Sequence, residues 1–596
     1  MARVALVQCP FWEIIHPKTA MGYLSSVLRQ NGHEPLLFDF EMEFFWQTPD
    51  ELKKYFHPDM GTSEIAPKMG LFEQLDGWAK RVVEEKPDLV GMSIYYSTEQ
   101  VSLELAKRIK KLAPNLPIIF GGPSCDKRVH GPKFLESNAV DIVATGEGEM
   151  TLLDTVNRVQ RGESLAGIEG TIARQNGQIV DGGERALIPK LDELPLPYYE
   201  PFDLSKYAIP GTLAILGSRG CPNRCKFCSE RAFWKKYRYR SGENIYHELK
   251  HFYETKKVRR FIFVDSLING NMRELEKWLG LVIDDGMRFK WYGFAMLRRE
   301  MDERLALKLA RSGCVLLQLG IESASPKIRK SMAKSPDVKM VQQVVRDVAK
   351  AGIRIQGLFI VGYPSETVVD FAKNLWFIFK NRKNINHIVR PTYPYVLLPS
   401  SILFDEREKY GITYPEGKYH EWTDGKSTLE RRMKKLKIFK WFVNKLKISS
   451  EIGPEVFDIG RSIKPKQKQL KPNDRVFEIL KIDGPTEAKP DSKAKFKVEL
   501  EYKGAEILWD YQSAKNLPIG LGYHIKRQDG SYEAFDDGTR IYIDRPLGPG
   551  DKERFEIEVI APKQEGEYSI EFRLVQDRVG WFEERAGHKV GLDVRR

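Results

Sequence analysis

Three cysteines that lie within eight residues carry the strongest chemical signal in this sequence: Cys221, Cys225 and Cys228, in GSRGCPNRCKFCSE (217–230). Thiolates are soft ligands that suit zinc or an iron–sulfur cluster. A structural zinc site takes four ligands, commonly in two pairs, and the sequence has no fourth cysteine or histidine at a pairing distance. Three thiolates on a cluster of four irons leave one iron open to bind and polarise a substrate. The spacing therefore favours a cluster, with structural zinc as the alternative.

The other cysteines, Cys9, Cys125 and Cys314, stand alone. A second cluster would need further grouped thiolates, so we predict one cluster only. Six cysteines in 596 residues do not make a disulfide framework. Cys314 opens a buried strand and is expected to pack as an apolar residue.

The cysteine motif follows the first strand of a βα series, and in this context it resembles the radical S-adenosylmethionine superfamily. The resemblance extends to the subgroup with an N-terminal cobalamin-binding-like domain, which includes cobalamin-dependent methyltransferases. It covers about residues 1–400. Further segments fall in the order seen in that subgroup, namely YRYRSGENIYHEL (237–249), FIFVDSLING (261–270), GCVLLQLGIES (313–323) and GLFIVGYPSET (357–367).

The resemblance implies a 4Fe-4S cluster on Cys221, Cys225 and Cys228, with S-adenosylmethionine chelating the open iron. One electron then yields methionine and a 5′-deoxyadenosyl radical, which abstracts hydrogen from the substrate. By its position in the motif, the resemblance implies that Phe227 lies against the adenine of S-adenosylmethionine. It also implies that Glu322 and Ser323, at a strand end, lie near the ribose or amino acid part of the same cofactor. Asp265 stands where many members have Gly-Gly-Glu contacting the amino group, so its role stays open. A structural hydrogen bond is the alternative for both Asp265 and Glu322.

Cobalamin domains that ligate cobalt carry Asp-x-His-x-x-Gly, because histidine is the natural nitrogen ligand. The comparable stretch here, FDFEMEFFWQ (38–47), has no histidine. Two alternatives follow: cobalamin binds with no protein nitrogen on cobalt, or binding has been lost. If cobalamin is bound, the candidate positions are the small or polar residues at strand ends, where ligands approach such sheets: Ser93, Gly121, Gly122, Gly146 and Glu147.

The elements around these residues predict an α/β chain of four parts. Residues 1–190 alternate apolar strands with helices, which is typical of a doubly wound parallel sheet. Residues 191–400 contain a second series of six βα units, a partial (β/α)6 barrel. Residues 401–472 read as a helical extension and a basic linker. From 473 the hydrophobic period changes to two, which predicts an all-β sandwich of about seven strands.

The charge is +13, from 95 Lys/Arg and 82 Asp/Glu, but eight Lys/Arg fall within residues 431–447. A general nucleic-acid surface is therefore not expected. That segment is a basic amphipathic helix, whose apolar face includes Phe439, Trp441 and Phe442. Such helices can lie in an anionic membrane interface; the alternative is a helix packed on the barrel. No apolar run is long enough to span a bilayer and no signal peptide is recognised, so we expect a cytoplasmic protein, with peripheral membrane contact left open.

These observations predict an oxygen-sensitive radical S-adenosylmethionine enzyme, with cobalamin-dependent methylation of an unactivated carbon as the leading reaction. The first alternative is a cobalamin-free enzyme of the same superfamily that forms a bond, cyclises or rearranges. The second is a non-catalytic protein that holds zinc. The expected partners are a small-molecule, lipid or glycan substrate and an electron donor such as flavodoxin or ferredoxin.

Overall fold

The computed structural model describes residues 1–53, 55–56, 65–127, 130–389, 391, 393–449, 454–457, 467–511 and 515–595. The N-terminal part is one seven-stranded sheet in the order β2-β1-β3-β4-β5-β6-β7. Its strands are Arg3–Gln8, Glu34–Asp39, Leu89–Ser93, Ile118–Gly121, Ile142–Ala144, Thr171–Gln175 and Gln178–Asp181. Its helices are Thr19–Gln30, Phe40–Gln47, Asp50–Lys53, Leu71–Glu84, Glu99–Leu112, His130–Glu136 and Gly148–Arg161.

The first five strands run parallel, as the sequence predicts. The last two, β6 and β7, add an antiparallel hairpin that the sequence analysis missed. Their hydrophobic pattern is weak because the ends of both strands are exposed and polar. The turn signal is present, however: Asn176 and Gly177 both have positive φ, which a tight two-residue hairpin turn requires.

The central part is a parallel sheet of six strands in the order β15-β14-β13-β12-β11-β8. All six predicted strands are found, as Thr212–Ile215, Arg260–Phe263, Lys290–Ala295, Cys314–Glu322, Arg354–Phe359 and His387–Ile388. A small ribbon pairs β9 (Ser218–Arg219) with β10 (Arg238–Tyr239). The helices are Glu230–Trp234, Gly242–Thr255, Met272–Asp284, Glu303–Arg311, Pro326–Ser331, Val338–Lys350 and Val368–Lys380. Cys314 is buried in this core, as expected.

The basic helix extends over Leu429–Lys445 and packs on the central part. Leu436, Phe439 and Val443 are fully buried there, whereas Trp441 is exposed. The alternative of a helix packed on the central part is therefore confirmed, whereas the prediction that Phe439 and Trp441 share one apolar face was wrong. The apolar face that the helical spacing predicts packs against the protein's own core. Phe439 on this face contacts Phe359, with ring centroids 6.1 Å apart.

Part of the predicted linker is also built into the core. Residues Pro454–Phe457 form a short 3₁₀ turn, and Val456 and Phe457 are buried. Phe457 lies 5.5 Å from Tyr292 between ring centroids. The Lys/Pro-rich composition indicated a linker, but these two apolar residues were the signal for packing. The rest of 401–472 contains the short helix Ile402–Asp405.

The C-terminal part is all-β, as predicted, with two sheets around one core. The first sheet has the order β22-β18-β16-β25, and the second is built on β17-β26-β23-β19-β20, with β21 and β24 at its margins. Strands β16–β26 are Val476–Asp483, Glu487–Ala488, Lys493–Tyr502, Ile519–Arg527, Tyr532–Ala534, Ile541–Tyr542, Lys552–Ile560, Gly566–Gln576, Gly580–Trp581, Glu583–Glu584 and Val590–Val594. Among the described residues, no helix has the length and apolarity that a bilayer span requires.

Candidate active site

The three motif cysteines lie in the loop that connects β9 to the helix Glu230–Trp234. All three are half-buried and free. Burial raises the pKa of each thiol, to about 11 for Cys228, where the neighbouring Cys225 and Cys221 contribute to the rise. A bound cation is needed to keep all three as thiolates near neutral pH.

The loop is held in place by main-chain contacts from distant segments. Lys226 N donates to Met332 O at 3.1 Å, and Leu403 N donates to Lys226 O at 2.8 Å. The Lys226 ammonium also pairs with Glu406 at 2.6 Å. The residues between the cysteines are therefore fixed from the 401–472 segment as well as from the central sheet.

Asp265, at the end of β11, supports the start of the same loop. Its carboxylate accepts hydrogen bonds from Gly217 N at 2.9 Å and Ser218 Oγ at 2.5 Å. Burial raises its pKa to about 6, although these two donors act in the opposite direction. Both carboxylate oxygens are used by the protein, which favours the structural alternative for Asp265.

Glu322 ends β13 with φ of +59°, in the left-handed region that residues other than glycine rarely adopt. Lys334 contacts it with Nζ 3.0 Å from Glu322 Oε1, and Lys334 Nζ also donates to Gly320 O at 2.7 Å. The same ammonium lies 5.8 Å from the ring centroid of Phe227. The structure thus brings Glu322, Phe227 and the cysteine loop together around Lys334, a residue that the sequence analysis missed.

Ser323 is buried and faces away from this group. Its hydroxyl lies 3.1 Å from Asn374 Oδ1, and Ala324 N donates to the same oxygen. Arg329, also buried, donates to Ile321 O at 2.6 Å. These contacts set the sharp turn after β13. The role of Ser323 toward a cofactor stays a prediction.

The predicted strand-end residues of the N-terminal sheet do lie at one edge. Ser93 and Gly121 are direct neighbours in β3 and β4. Gly122 has φ of +109°, and a Cβ there would come within 2.8 Å of Ile94 O, so close backbone packing requires glycine. Gly146 also has positive φ, and nothing lies within 4 Å of the place its Cβ would take. The roles of these residues toward cobalamin stay a prediction.

Glu147, the fifth of these candidates, has a different environment. Its carboxylate is almost fully buried and accepts from Arg219 Nη1 at 2.6 Å and from Arg238 Nη1 at 2.8 Å. It also accepts from Ile188 N at 2.8 Å. Glu149 makes a second pair with Arg219. The two arginines were missed by the sequence analysis, although their place in SRGC and YRYR beside the cysteines was a signal.

The Glu147–Arg219 pair connects the two cofactor regions that the sequence predicts. Glu147 follows the strand-end glycine Gly146, and Arg219 stands two residues before Cys221. The ligand edge of the N-terminal sheet is thereby fixed against the cysteine loop.

Among the described residues, no group of three His, Cys, Asp or Glu side chains is arranged to hold one metal ion. A cluster with one thiolate on each of three irons does not require the three sulfurs to converge on one ion.

Family models match two parts of the chain. The Radical SAM superfamily model matches residues 215–377, and the B12 binding domain model matches residues 65–155. The first match contains the cysteine loop, and the second contains the strand-end glycines of the N-terminal sheet.

Curated relatives include methyltransferases. An uncharacterised methyltransferase of Pyrococcus horikoshii is 29% identical over 50% of this chain and 66% of its own length. The cytidylyl-2-hydroxyethylphosphonate methyltransferase of Streptomyces wedmorensis is 24% identical over 58% of this chain and 68% of its own. The chain spans about two thirds of the length of these two relatives.

Solved structures show the same fold over most of the chain. The radical S-adenosylmethionine methyltransferase TsrM of Kitasatospora setae, with tryptophan substrate and a SAM analogue, superposes with a TM-score of 0.55 at 17% identity, over 70% of this chain and 78% of TsrM. OxsB, a cobalamin-dependent radical enzyme with aqua-cobalamin and S-adenosylmethionine bound, gives 0.53 at 17% identity, over 76% and 63%.

Proposed function

We propose that this chain, which belongs to the radical S-adenosylmethionine superfamily and carries a B12-binding domain, is a cobalamin-dependent methyltransferase acting on an unactivated carbon. Its cofactors are a 4Fe-4S cluster, S-adenosylmethionine and cobalamin. The observation that supports methyl transfer most directly is the Glu147–Arg219 pair at 2.6 Å, because it fixes the strand-end edge of the B12-binding domain beside the cysteine loop.

When bound, the cluster supplies one electron to S-adenosylmethionine for radical formation, and cobalamin supplies a methyl carrier. The chain's own residues bind and orient. Cys221, Cys225 and Cys228 hold the cluster, and Phe227 and Glu322 lie beside the loop where S-adenosylmethionine is expected. Lys334 neutralises Glu322 at 3.0 Å and fixes its position.

The first alternative, a cobalamin-free radical enzyme, would leave the B12-binding domain without a function. The match of the B12 binding domain model to residues 65–155, which include Gly121, Gly122 and Gly146, favours cobalamin at this edge. The second alternative, structural zinc, is disfavoured because such a site takes four ligands and the sequence has no fourth cysteine or histidine at a pairing distance from the three. The substrate is proposed to be a small molecule, lipid or glycan, and the electron to come from a flavodoxin or ferredoxin.

The test is anaerobic reconstitution with iron and sulfide, followed by S-adenosylmethionine and a reductant. We expect about four irons per chain for a cluster on three thiolates, and formation of 5′-deoxyadenosine. Cys221→Ala, Cys225→Ala and Cys228→Ala should each abolish both. Cys314→Ala is the matched control, because this buried cysteine lies in the sheet core, and it should retain both.

Cobalamin binding is measured separately with hydroxocobalamin. We expect the chain to take up about one equivalent, with a spectrum that lacks histidine ligation, because Asp-x-His-x-x-Gly is absent. 5′-Deoxyadenosine together with S-adenosylhomocysteine as products supports methyl transfer. A reconstituted protein that contains zinc and no iron would contradict the proposed radical chemistry. A protein that contains iron but takes up no cobalamin would favour the cobalamin-free alternative.

A further inference from the structure

Two neighbouring helices of the central part, Val368–Lys380 and Leu429–Lys445, expose apolar side chains that the described core does not use. Lys435 Nζ on the second helix donates to Glu366 Oε2 at 2.8 Å and lies 5.9 Å from the Phe371 ring centroid on the first. Near the other end, Ile388 N donates to Ser449 O at 2.9 Å. The two helices therefore run side by side in the same direction.

Helical spacing places the exposed apolar residues along the shared groove, together with Leu375 and Phe442, which are partly buried against the core. Val368, Leu375 and Phe379 lie three, four and eight residues from Phe371, on the side that faces the second helix. Ile438 and Phe442 lie three and seven residues from Lys435, on the side that faces the first. Trp376 and Trp441 lie beside these residues on their helices, on the side further from the groove. The most exposed members are Val368 (76%), Trp376 (63%), Trp441 (59%), Ile438 (47%) and Phe379 (39%).

The charged residues around this strip are almost all cations. The exposed ones on the two helices and just after the first are Lys373, Lys380, Arg382, Lys383, Arg431, Lys434, Lys437 and Lys445. Only Lys434 has an acidic partner among the described residues, namely Glu430 at 2.7 Å. Asp370, the acid within the first helix, is buried and bonded to Ser325 and Thr367.

We propose that this surface, the Trp376/Trp441 strip, seats the enzyme on an anionic membrane. Tryptophan side chains favour the headgroup level of a bilayer, and each lysine or arginine near an anionic leaflet adds attraction. A second copy of the chain is a poor occupant, because a two-fold contact would bring the same cations together. The proposal is independent of the reaction that the active site performs.

This surface differs from the face that the sequence pattern marked. Phe439 belongs to the core, and the free side chains lie on the flank of the helix beside Val368–Lys380. Neither helix spans a bilayer; the contact would bury only the strip and its cationic border.

The test is co-sedimentation of the full-length reconstituted chain with vesicles at low salt. One set contains equal parts phosphatidylglycerol and phosphatidylcholine, and the other contains phosphatidylcholine alone. We expect at least about tenfold tighter binding to the anionic set, weakening steeply as salt rises. Equal partitioning to both sets, or binding that salt leaves unchanged, would overturn the proposal without any variant.

Two variants locate the surface. W376A/W441A should weaken binding by about tenfold or more, from the lost apolar insertion. Changing Lys373, Lys380, Lys437 and Lys445 to Gln should weaken it by about a hundredfold. Phe535→Ala on the C-terminal sandwich and K80Q/K111Q on two helices of the N-terminal part are the matched controls and should bind as the wild type does.

5′-Deoxyadenosine formation from S-adenosylmethionine in solution should be unchanged in all of these variants, because none of these residues lies in the active site. Wild-type affinity in both strip variants would overturn the assignment. So would a dimer, seen by analytical ultracentrifugation, that W376A/W441A abolishes, because a second copy would then be the occupant.

Discussion

The buried carboxylate of Asp265 supports the start of the cysteine loop. Its two oxygens accept from Gly217 N and Ser218 Oγ, and these donors fix the backbone four and three residues before Cys221. An asparagine has the same shape but one acceptor fewer, so it leaves a donor unsatisfied. The residue is a positioning group for the loop.

The raised pKa of Asp265 makes a pH-dependent prediction. Its pKa is about 6 in the fold against 3.8 for the free group, so the folded state binds the proton more tightly. The stability that comes from this tighter proton binding is fully present below the unfolded-state pKa of 3.8. It is lost as the pH rises through the folded-state pKa of about 6. Relative to Asp265→Asn, we expect the wild type to lose roughly 3 kcal/mol over this window.

Thermal midpoints of the apo protein, followed by circular dichroism at several pH values, measure this difference. Asp203→Asn is the control, because this carboxylate is half exposed and its pKa is lowered by Ser205. A wild-type-minus-variant difference that stays flat from pH 4 to pH 7 would contradict the assignment.

At the scale of elements, the connection between the N-terminal sheet and the cysteine loop depends on Glu147. Glu147→Ala leaves the buried Arg238 with only the Ile188 carbonyl and Arg219 with only Glu149 as a carboxylate partner. Removing one member of a buried pair destabilises by about 3–5 kcal/mol. We expect a lower thermal midpoint and reduced iron content after reconstitution, because Arg219 stands next to the loop.

Glu184→Ala provides a matched comparison, since it pairs with Lys235 in the same region but is largely exposed. Exposed pairs contribute about 0–1 kcal/mol, so this variant should keep its iron and its midpoint. Equal loss of iron in both variants would show that the Glu147 pair has no special role.

The packing of the helix Leu429–Lys445 makes a second prediction at this scale. Phe439 is fully buried, so Phe439→Ala creates a cavity and should cost about 3–5 kcal/mol of unfolding free energy. Trp441→Ala removes an exposed side chain and should cost under about 0.5 kcal/mol. Denaturant titration compares the two, and similar costs would mean that the helix is oriented differently.

At the scale of the whole molecule, the sandwich is attached to the helices of the central part by ionic contacts. Glu553 on β22 is buried and accepts from Arg545 at 2.6 Å within the sandwich and from Arg288 at 3.0 Å across the interface. Arg311, on the helix Glu303–Arg311, donates to Lys552 O at 2.7 Å. The sandwich is therefore held at a fixed place behind the central sheet.

We expect Glu553→Gln to loosen this attachment, because two arginines lose their shared carboxylate. Breaking such a pair costs about 3–5 kcal/mol, and the sandwich should unfold at a lower temperature than the rest of the chain. Calorimetry should show the separate transition. Glu556→Gln, on the exposed face of the same strand, is the control and should leave the trace unchanged.

The sequence by itself predicted the N-terminal parallel sheet, the second βα series, the all-β C-terminal part and the cluster motif. Strand and helix periods are local properties, so all five parallel strands of the first sheet and all six of the second could be predicted. The cysteine spacing is local as well. The hairpin β6–β7 was missed because its strands are short and polar, and only its Asn-Gly turn indicated it.

Only the tertiary structure decided which polar groups pair with one another. Glu147 meets Arg219 across 72 residues of chain, and Asp265 meets Gly217 across 48. No spacing rule predicts such pairs, because they depend on how two sheets are set against each other. The same holds for the basic helix: its period marks an apolar face, but whether that face packs on a core or meets a lipid surface depends on its neighbours.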